Sequence, residues 1–182
     1  MRPALNLIYR LSGILAALFI VAITALVFAQ VCLNLTDRIA TLATGAAIGL
    51  TIPSYSDFTG FFLAASTFLG LAYTLRVGGH IRVTLFLTHL PARATRPLGL
   101  AVLAIAALIA GYAAWYLSAL VIESHEFGDR SSGMVSMPLW LVQAPVALGL
   151  WIFTIALIDE WAVLWKGETP PSFAVGDSLL SE

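Results

Sequence analysis

The sequence predicts an all-α integral membrane protein with four transmembrane helices and a cytoplasmic interfacial amphipathic helix. Of its 182 residues, 60% are hydrophobic and only 10% are charged, and the mean hydropathy is +0.94. A soluble domain carries about a quarter charged residues, and a chain of this size cannot hide so much apolar surface in a water-soluble core. Four long stretches contain no charged residue. This composition is stable only with lipid as the solvent.

The charge-free stretches locate the four spans. A helix needs about 20 mostly apolar residues to cross the hydrocarbon layer. We therefore predict spans at residues 11–33, 54–75, 97–122 and 138–158. The first span follows Arg2 and Arg10, as a secretory signal would, but it exceeds the apolar core of about 7–15 residues that a signal peptide has. We interpret it as an uncleaved signal anchor.

Two segments outside the spans have a distinctive composition. The connector 39–53 is free of charge, rich in Ala, Gly and Thr, and ends at Pro53; we predict that it is interfacial or partly re-entrant. The segment 167–182 contains Pro170, Pro171 and scattered Gly, Ser and acidic residues. Such a composition is typical of disorder. We therefore predict a four-span membrane domain at 1–166, followed by a disordered cytoplasmic tail.

Lysine and arginine residues lie mostly on one side of the predicted bilayer. Seven of the nine fall before the first span, between the second and third spans, or after the fourth, whereas Arg38 and Arg130 fall on the other side. Short cytoplasmic loops are enriched in Lys and Arg. We therefore predict that both termini are cytoplasmic. Acidic residues collect on the opposite side, at Asp37, Glu123, Glu126 and Asp129.

The segment after the second span predicts a helix at about 80–90 that lies in the cytoplasmic headgroup layer. Two glycines can adopt the positive φ angles that end a helix, and apolar residues then recur at helical spacing, at Val83, Phe86, Leu87 and Leu90. Its arginines either anchor this region to lipid phosphates or fix it against a partner protein. We predict a subunit or lipid interface at Arg76, Gly78, Gly79, His80 and Arg82.

A polar loop precedes the fourth span on the opposite side. It contains several acidic residues, and Pro138 then opens the span at a position where a missing N–H costs nothing. Trp140 follows at the depth of an aromatic belt. The loop is either a solvated acidic surface or a docking surface. We predict a periplasmic docking face at Asp57, Glu123, Glu126, Asp129 and Arg130.

Apart from Asp57, which lies near the outer boundary of the second span, the predicted spans contain no Asp, Glu, Lys, Arg or His. Ionisable residues inside a membrane mark ion and proton pathways, so this chain alone offers no path for a polar solute. Its single cysteine, Cys32, excludes an intrachain disulfide. We predict no catalytic residue, cofactor site or metal site, and an accessory function within a larger assembly.

The run Arg76–Val83, closed by Leu90-Pro91, resembles the signature of the small membrane subunit of TRAP (tripartite ATP-independent periplasmic) transporters, DctQ type. The resemblance covers about residues 5–165 and includes further positions: Asp57, Phe68-Leu69-Gly70, Pro138, Trp140, Pro145 and Gly149. The sequence differs from the family pattern at Thr84, where members of the family commonly have Asp.

This resemblance implies a small permease subunit and not an enzyme. The expected partners are a large TRAP permease subunit that binds solute and sodium ions, a periplasmic solute-binding protein, and membrane lipid, with no nucleic acid. The chain would brace the large subunit in the bacterial inner membrane and help to dock the binding protein. The implied activity is uptake of a carboxylated organic solute by symport.

Two alternatives belong to other functional classes. A four-helix haem-binding electron carrier needs inward-facing axial ligands, and the three histidines (His80, His89 and His125) all lie outside the predicted spans. A stand-alone oligomeric channel would need a polar path that the spans lack. A Soret absorbance band would support the first alternative, and solute flux through liposomes containing only this chain would support the second.

Overall fold

The computed structural model describes residues 2–79 and 92–170, which form four long helices. Their bounds are α1 Arg2–Thr44, α2 Tyr55–Arg76, α3 Ala92–Glu126 and α4 Leu139–Trp165. Each is long and apolar enough to cross a membrane, which confirms the predicted class of all-α, multi-pass membrane protein. The predicted interfacial helix at 80–90 and residues 171–182 of the predicted tail lie outside the described residues.

Helix α1 is longer than the span predicted at 11–33. Its 43 residues correspond to about 64 Å at 1.5 Å per residue. No Gly or Pro lies between Gly13 and Gly45, so nothing ends the helix where the apolar run ends. Gly45, with φ of 75°, supplies the first left-handed residue. Residues 39–44, which we expected to belong to a non-spanning connector, are therefore helical, and only 45–54 are irregular.

The four helices pack side by side in the order α1, α2, α4, α3. Helices α1 and α2 are antiparallel: the Ser12 hydroxyl donates to the Leu69 carbonyl. Helices α2 and α4 run parallel, and α3 packs antiparallel to α4, where the Trp151 indole N–H donates to Ser118 Oγ over 2.9 Å. The fold is therefore a row with α1 and α3 at its edges.

Small residues bring the two central helices together. An ideal Cβ placed on Gly149 of α4 would lie 2.5 Å from the carbonyl carbon of Phe68 in α2, so the two backbones touch there. Ala72 of α2 and Ala156 of α4 are both buried in the hydrophobic core. Close backbone approach through small residues is how membrane helices gain packing energy. The two central helices are accordingly in direct backbone contact at this crossing.

The row has two ends, which we name by the chain segments they hold. The terminal end holds the start of α1, the end of α2, the start of α3 and the end of α4. The loop end holds the end of α1, the start of α2, the end of α3 and the start of α4. Between the ends, the edge helices expose large apolar side chains, such as Leu18, Leu108 and Trp115.

Candidate functional site

The terminal end contains the described part of the first predicted site. Helix α2 ends at Arg76, and Gly78 takes a φ of 71°. The Gly78 N–H donates to the Leu75 carbonyl at 3.1 Å, and the Gly79 N–H donates to the Thr74 carbonyl at 2.9 Å. This pair of bonds is the Schellman motif, which satisfies the last carbonyls of a helix. Gly78 thus ends α2 as the sequence predicts, whereas His80 and Arg82 lie outside the described residues.

Arg76 forms an ion pair that was not predicted from the sequence. Its Nη1 lies 3.5 Å from Oδ2 of Asp159 in α4, and the side chains are only 20% and 16% exposed. The neighbouring Glu160 is 1% exposed and Tyr9 of α1 is 1% exposed. Three helices therefore meet around this pair. Part of the role of Arg76 is within the chain, in joining the end of α2 to α4.

The acidic residues of this cluster were missed because they follow the predicted fourth span without any motif. One signal was available. Asp159 and Glu160 are adjacent acids on the side of the predicted bilayer that collects arginines, and carboxylates there have several cations within reach. The partner of Asp159, Arg76, lies 83 residues away in the chain, a separation at which sequence spacing carries no information.

Arg96 makes a second link at the terminal end. Its Nη2 donates to the Trp165 carbonyl at 2.7 Å, and its Nε donates to the Leu164 carbonyl at 3.3 Å. Both carbonyls belong to the last turn of α4, where intrahelical donors run out and where a cation is favoured by the helix dipole. Arg96 therefore joins the start of α3 to the end of α4.

The loop end holds the second predicted site. Asp57 lies in the first turn of α2, and its carboxylate packs directly over Gly133, where a Cβ would collide with it. Ser54 precedes α2 with a positive φ of 55°, which is uncommon outside glycine. Its Oγ accepts the Val135 N–H at 3.0 Å. The start of α2 and the loop before α4 thus form one surface.

The loop before α4 is folded by its own hydrogen bonds. Arg130 donates from Nε and Nη2 to the hydroxyl and the carbonyl of Ser136, each at 2.9 Å. The Leu139 N–H donates to the Asp129 carbonyl at 2.9 Å. Glu123 and Glu126 lie at the end of α3 and are exposed, as are the side chains of Asp129 and Arg130. The structure therefore gathers the predicted docking residues at one end, with the carboxylates of α3 open to solvent.

The irregular segment 45–54 folds back along α1 at the same end. Asp37 Oδ1 accepts the N–H groups of Ile48 and Gly49 at 2.7 and 2.8 Å. Gln30, which is buried, accepts the Ile52 N–H at 2.7 Å through Oε1. These two side chains supply hydrogen-bond partners for backbone N–H groups that no helix or strand satisfies. Asp37 was noted only for its charge and Gln30 was not predicted as a site residue, because their partners are in a segment with no regular structure.

Across residues 2–79 and 92–170, no group of three or more His, Cys, Asp or Glu side chains could hold a metal ion. His125 packs edge-on against Trp140, with ring centroids 5.3 Å apart, at the loop end and away from the centre of the row. The two polar ends are separated by apolar helices.

Of the comparisons with known proteins, the one with protein families gives a match. No curated protein and no solved structure matches the chain. The protein family described as "Tripartite ATP-independent periplasmic transporters, DctQ component" matches residues 46–167, which include the Arg76–Val83 run and both predicted sites. This match covers well over half of the chain, so the protein belongs to the DctQ family, the small membrane component of a tripartite transporter and not an enzyme.

Proposed function

We propose that this chain braces the large membrane subunit of a TRAP-type secondary transporter and helps to dock its periplasmic binding protein. The observation that carries the proposal is the row of helices. A closed four-helix bundle would enclose its apolar stripes, whereas a row exposes both faces and both edges. Such a shape offers an extended, rigid surface to a second membrane protein.

The absence of Asp, Glu, Lys, Arg and His from residues 11–33, 58–75, 97–122 and 138–158 supports an accessory role. Charged or polar groups at membrane depth are what solute and ion pathways use. The solute and its coupling ions would therefore be bound by the large subunit. The central contact between α2 and α4 at Gly149 supplies the stiffness that a brace needs.

The distribution of charge supports an orientation with both termini in the cytoplasm of a bacterial inner membrane. The described cations of the terminal end include Arg76, Arg96 and Lys166, whereas exposed carboxylates are found at the loop end. Cytoplasmic enrichment in Lys and Arg is the rule for short loops. The loop end would accordingly face the periplasm.

We assign the docking of the binding protein to this periplasmic end. Asp57 fixes the loop before α4 against α2, and the exposed carboxylates beside it (Glu123, Glu126 and Asp129) present negative charge. Arg130 maintains the loop through Ser136. Charge complementarity of this kind raises association rates and makes them sensitive to salt. Replacing the three exposed carboxylates by their amides is expected to slow binding most at low ionic strength.

The terminal end is assigned to contact with the large subunit or with lipid phosphates, through Arg76, Gly78, Gly79, His80 and Arg82. The ion pair between Arg76 and Asp159 holds α2 and α4 in register, so loss of Arg76 would act on the interface through the fold. A carboxylated organic solute, taken up by symport, is what the resemblance at residues 76–83 implies.

The experiment that tests the proposal is affinity purification of this chain from detergent-solubilised native membranes, followed by mass spectrometry. Recovery of one large multi-span permease is the expected result. Purification of the chain alone, as a defined oligomer, would overturn the proposal. Deletion of the gene for this chain is expected to abolish uptake of a radiolabelled carboxylate, and re-expression of the chain is the control.

A further inference from the structure

Helix α1 extends well past its neighbour at the loop end. Gln30 of α1 is level with Ile52, and α2 begins at Tyr55, so residues 31–44 have no transmembrane helix beside them. These residues span about 20 Å at 1.5 Å per residue. They form a free-standing helical arm at one edge of the row.

The charges of α2 show that this arm lies outside the hydrocarbon layer. Asp57 and Arg76 bound an uncharged stretch that is about 29 Å long in a helix, close to the thickness of about 30 Å of a bilayer core. The arm begins where α2 begins, so it projects beyond that core. Its own charged residues, Asp37 and Arg38, agree with this placement.

The arm nevertheless exposes apolar side chains in a regular pattern. Leu35, Ile39 and Leu42 are 57%, 58% and 79% exposed. They continue a series of exposed apolar residues that starts at Leu7 and recurs at alternating intervals of four and three residues along all of α1. We call this series the α1 seam. Within the bilayer, exposed apolar residues are expected because they face lipid, but on the arm they would face water.

A repeat of 3.5 residues is the spacing of a left-handed coiled coil. On a straight helix the seam would drift by about 20° per heptad, and supercoiling around a second helix removes that drift. The opposite, polar side of the arm is already covered, because Asp37 holds residues 48 and 49 there. The seam side is the one left open.

The charges that flank the seam argue against a second copy of α1 as the helix that covers it. Arg10 and Arg38 each lie one residue before a seam position, both are exposed, and neither has an ion-pair partner in the part of the chain that the structure describes. Two copies of this chain share one orientation in the membrane, so self-pairing of α1 would be parallel. The residues facing the arginines would then be Leu15 and Ala43, which offer no counter-charge.

We propose that the α1 seam packs as a left-handed coiled coil against a long apolar helix of the large membrane subunit, one that carries carboxylate side chains opposite Arg38. This inference rests on the proposed function, which supplies the large subunit as a partner. It adds which edge of the row is covered and that the contact continues outside the bilayer.

A photo-crosslinking amino acid at Ile39 tests the inference in the intact complex. The expected result is an adduct with the large subunit. The control position is Ile48, which is 63% exposed and lies on the covered side of the arm; it is expected to give no such adduct. Adducts from Trp115 at the α3 edge, with none from Ile39, would place the large subunit at the other edge and overturn the inference.

The native Cys32 tests self-pairing, because it is exposed and occupies a seam position. Parallel pairing of two copies would put their thiols in one layer. Oxidation of the membranes is expected to give no disulfide-linked dimer, and formation of such a dimer would overturn the inference.

Replacement of the arm side chains gives an independent measurement. The variant Leu35→Ser, Ile39→Ser, Leu42→Ser is expected to recover less of the large subunit, by on the order of tenfold, since three buried apolar contacts are lost. The matched control is Ile48→Ser with Met134→Ser, two exposed apolar residues elsewhere at the loop end. Unchanged recovery by the arm variant would refute the seam contact alone, whereas failure of the unmodified chain to recover any large permease would refute the proposed function itself.

Discussion

Substitution of Gly149 by alanine should separate the two central helices. The added Cβ would lie 2.5 Å from the carbonyl carbon of Phe68, 2.6 Å from its oxygen and 2.7 Å from the Leu69 nitrogen. Ordinary contact begins near 3.4 Å, so α2 and α4 must move apart by roughly 0.9 Å at their crossing. The obstructing atoms are backbone atoms, which cannot rotate away as a side chain would.

The cost follows from known overpacking effects. Inserting a methyl group into a well-packed site costs about 1–3 kcal/mol, and a backbone obstacle places Gly149→Ala at the upper end of that range. The gain in helix propensity from Gly to Ala offsets about 1 kcal/mol. We therefore expect the free energy of unfolding to fall by about 2 kcal/mol. Equilibrium unfolding in SDS and dodecylmaltoside mixed micelles, followed by tryptophan fluorescence, measures this difference.

Two other helical glycines provide graded controls. A Cβ on Gly60 of α2 would meet nothing within 4 Å, and a Cβ on Gly111 of α3 would lie 3.4 Å from Thr154 Cγ2. Gly60→Ala is expected to be neutral or stabilising by up to about 1 kcal/mol, with Gly111→Ala between the two. If Gly149→Ala were as well tolerated as Gly60→Ala, the close contact between α2 and α4 would be wrong.

Three further predictions concern the polar contacts. Arg76 and Asp159 should show a coupling energy of about 1 kcal/mol in a double-mutant cycle, because the pair is partly exposed. Arg96→Ala should lower the free energy of unfolding by about 2 kcal/mol through loss of charged hydrogen bonds to the end of α4, with Arg96→Lys retaining part of the effect. Asp37→Ala should free two connector amides and speed limited proteolysis within residues 45–54, as followed by mass spectrometry.

Each of these predictions has a contradicting result. Additive effects of Arg76→Ala and Asp159→Ala would mean that the two side chains do not interact. An unchanged free energy of unfolding for Arg96→Ala would mean that other groups cap α4. Proteolysis of Asp37→Ala at the original rate, with Thr36→Ala as the control on the neighbouring residue, would mean that the connector is held by Gln30 alone.

The membrane class and the four helices could be predicted because they depend on local properties. Hydropathy, charge-free length and the glycine at position 78 act over one helix or one turn. The end of the first helix could not be predicted from such local properties. Hydropathy predicts the part of a helix that lipid surrounds, and not where the helix ends. The predicted first span therefore stopped at residue 33, and residues 39–44 of the arm were assigned to the connector.

The predicted site residues were placed by the structure but not brought into a single centre. Asp57 meets the loop before α4 through Gly133, which lies 76 positions later in the sequence. Arg76 meets Asp159, which had no motif to mark it. Such partners follow from the way α2 and α4 run parallel and adjacent, and no spacing rule along the chain specifies that pairing.

The sequence by itself determined the solvent of this protein, the number of its membrane helices, the end of α2 at Gly78, and membership of the DctQ family through residues 46–167. Only the tertiary structure decided that the helices form a row, that Arg76 and Arg96 tie helix ends together, and that α1 carries an uncovered arm. The physical reason is the distance along the chain over which each property acts. Burial preference and backbone conformation are properties of single residues and turns, whereas helix order depends on which faces of distant segments fit together.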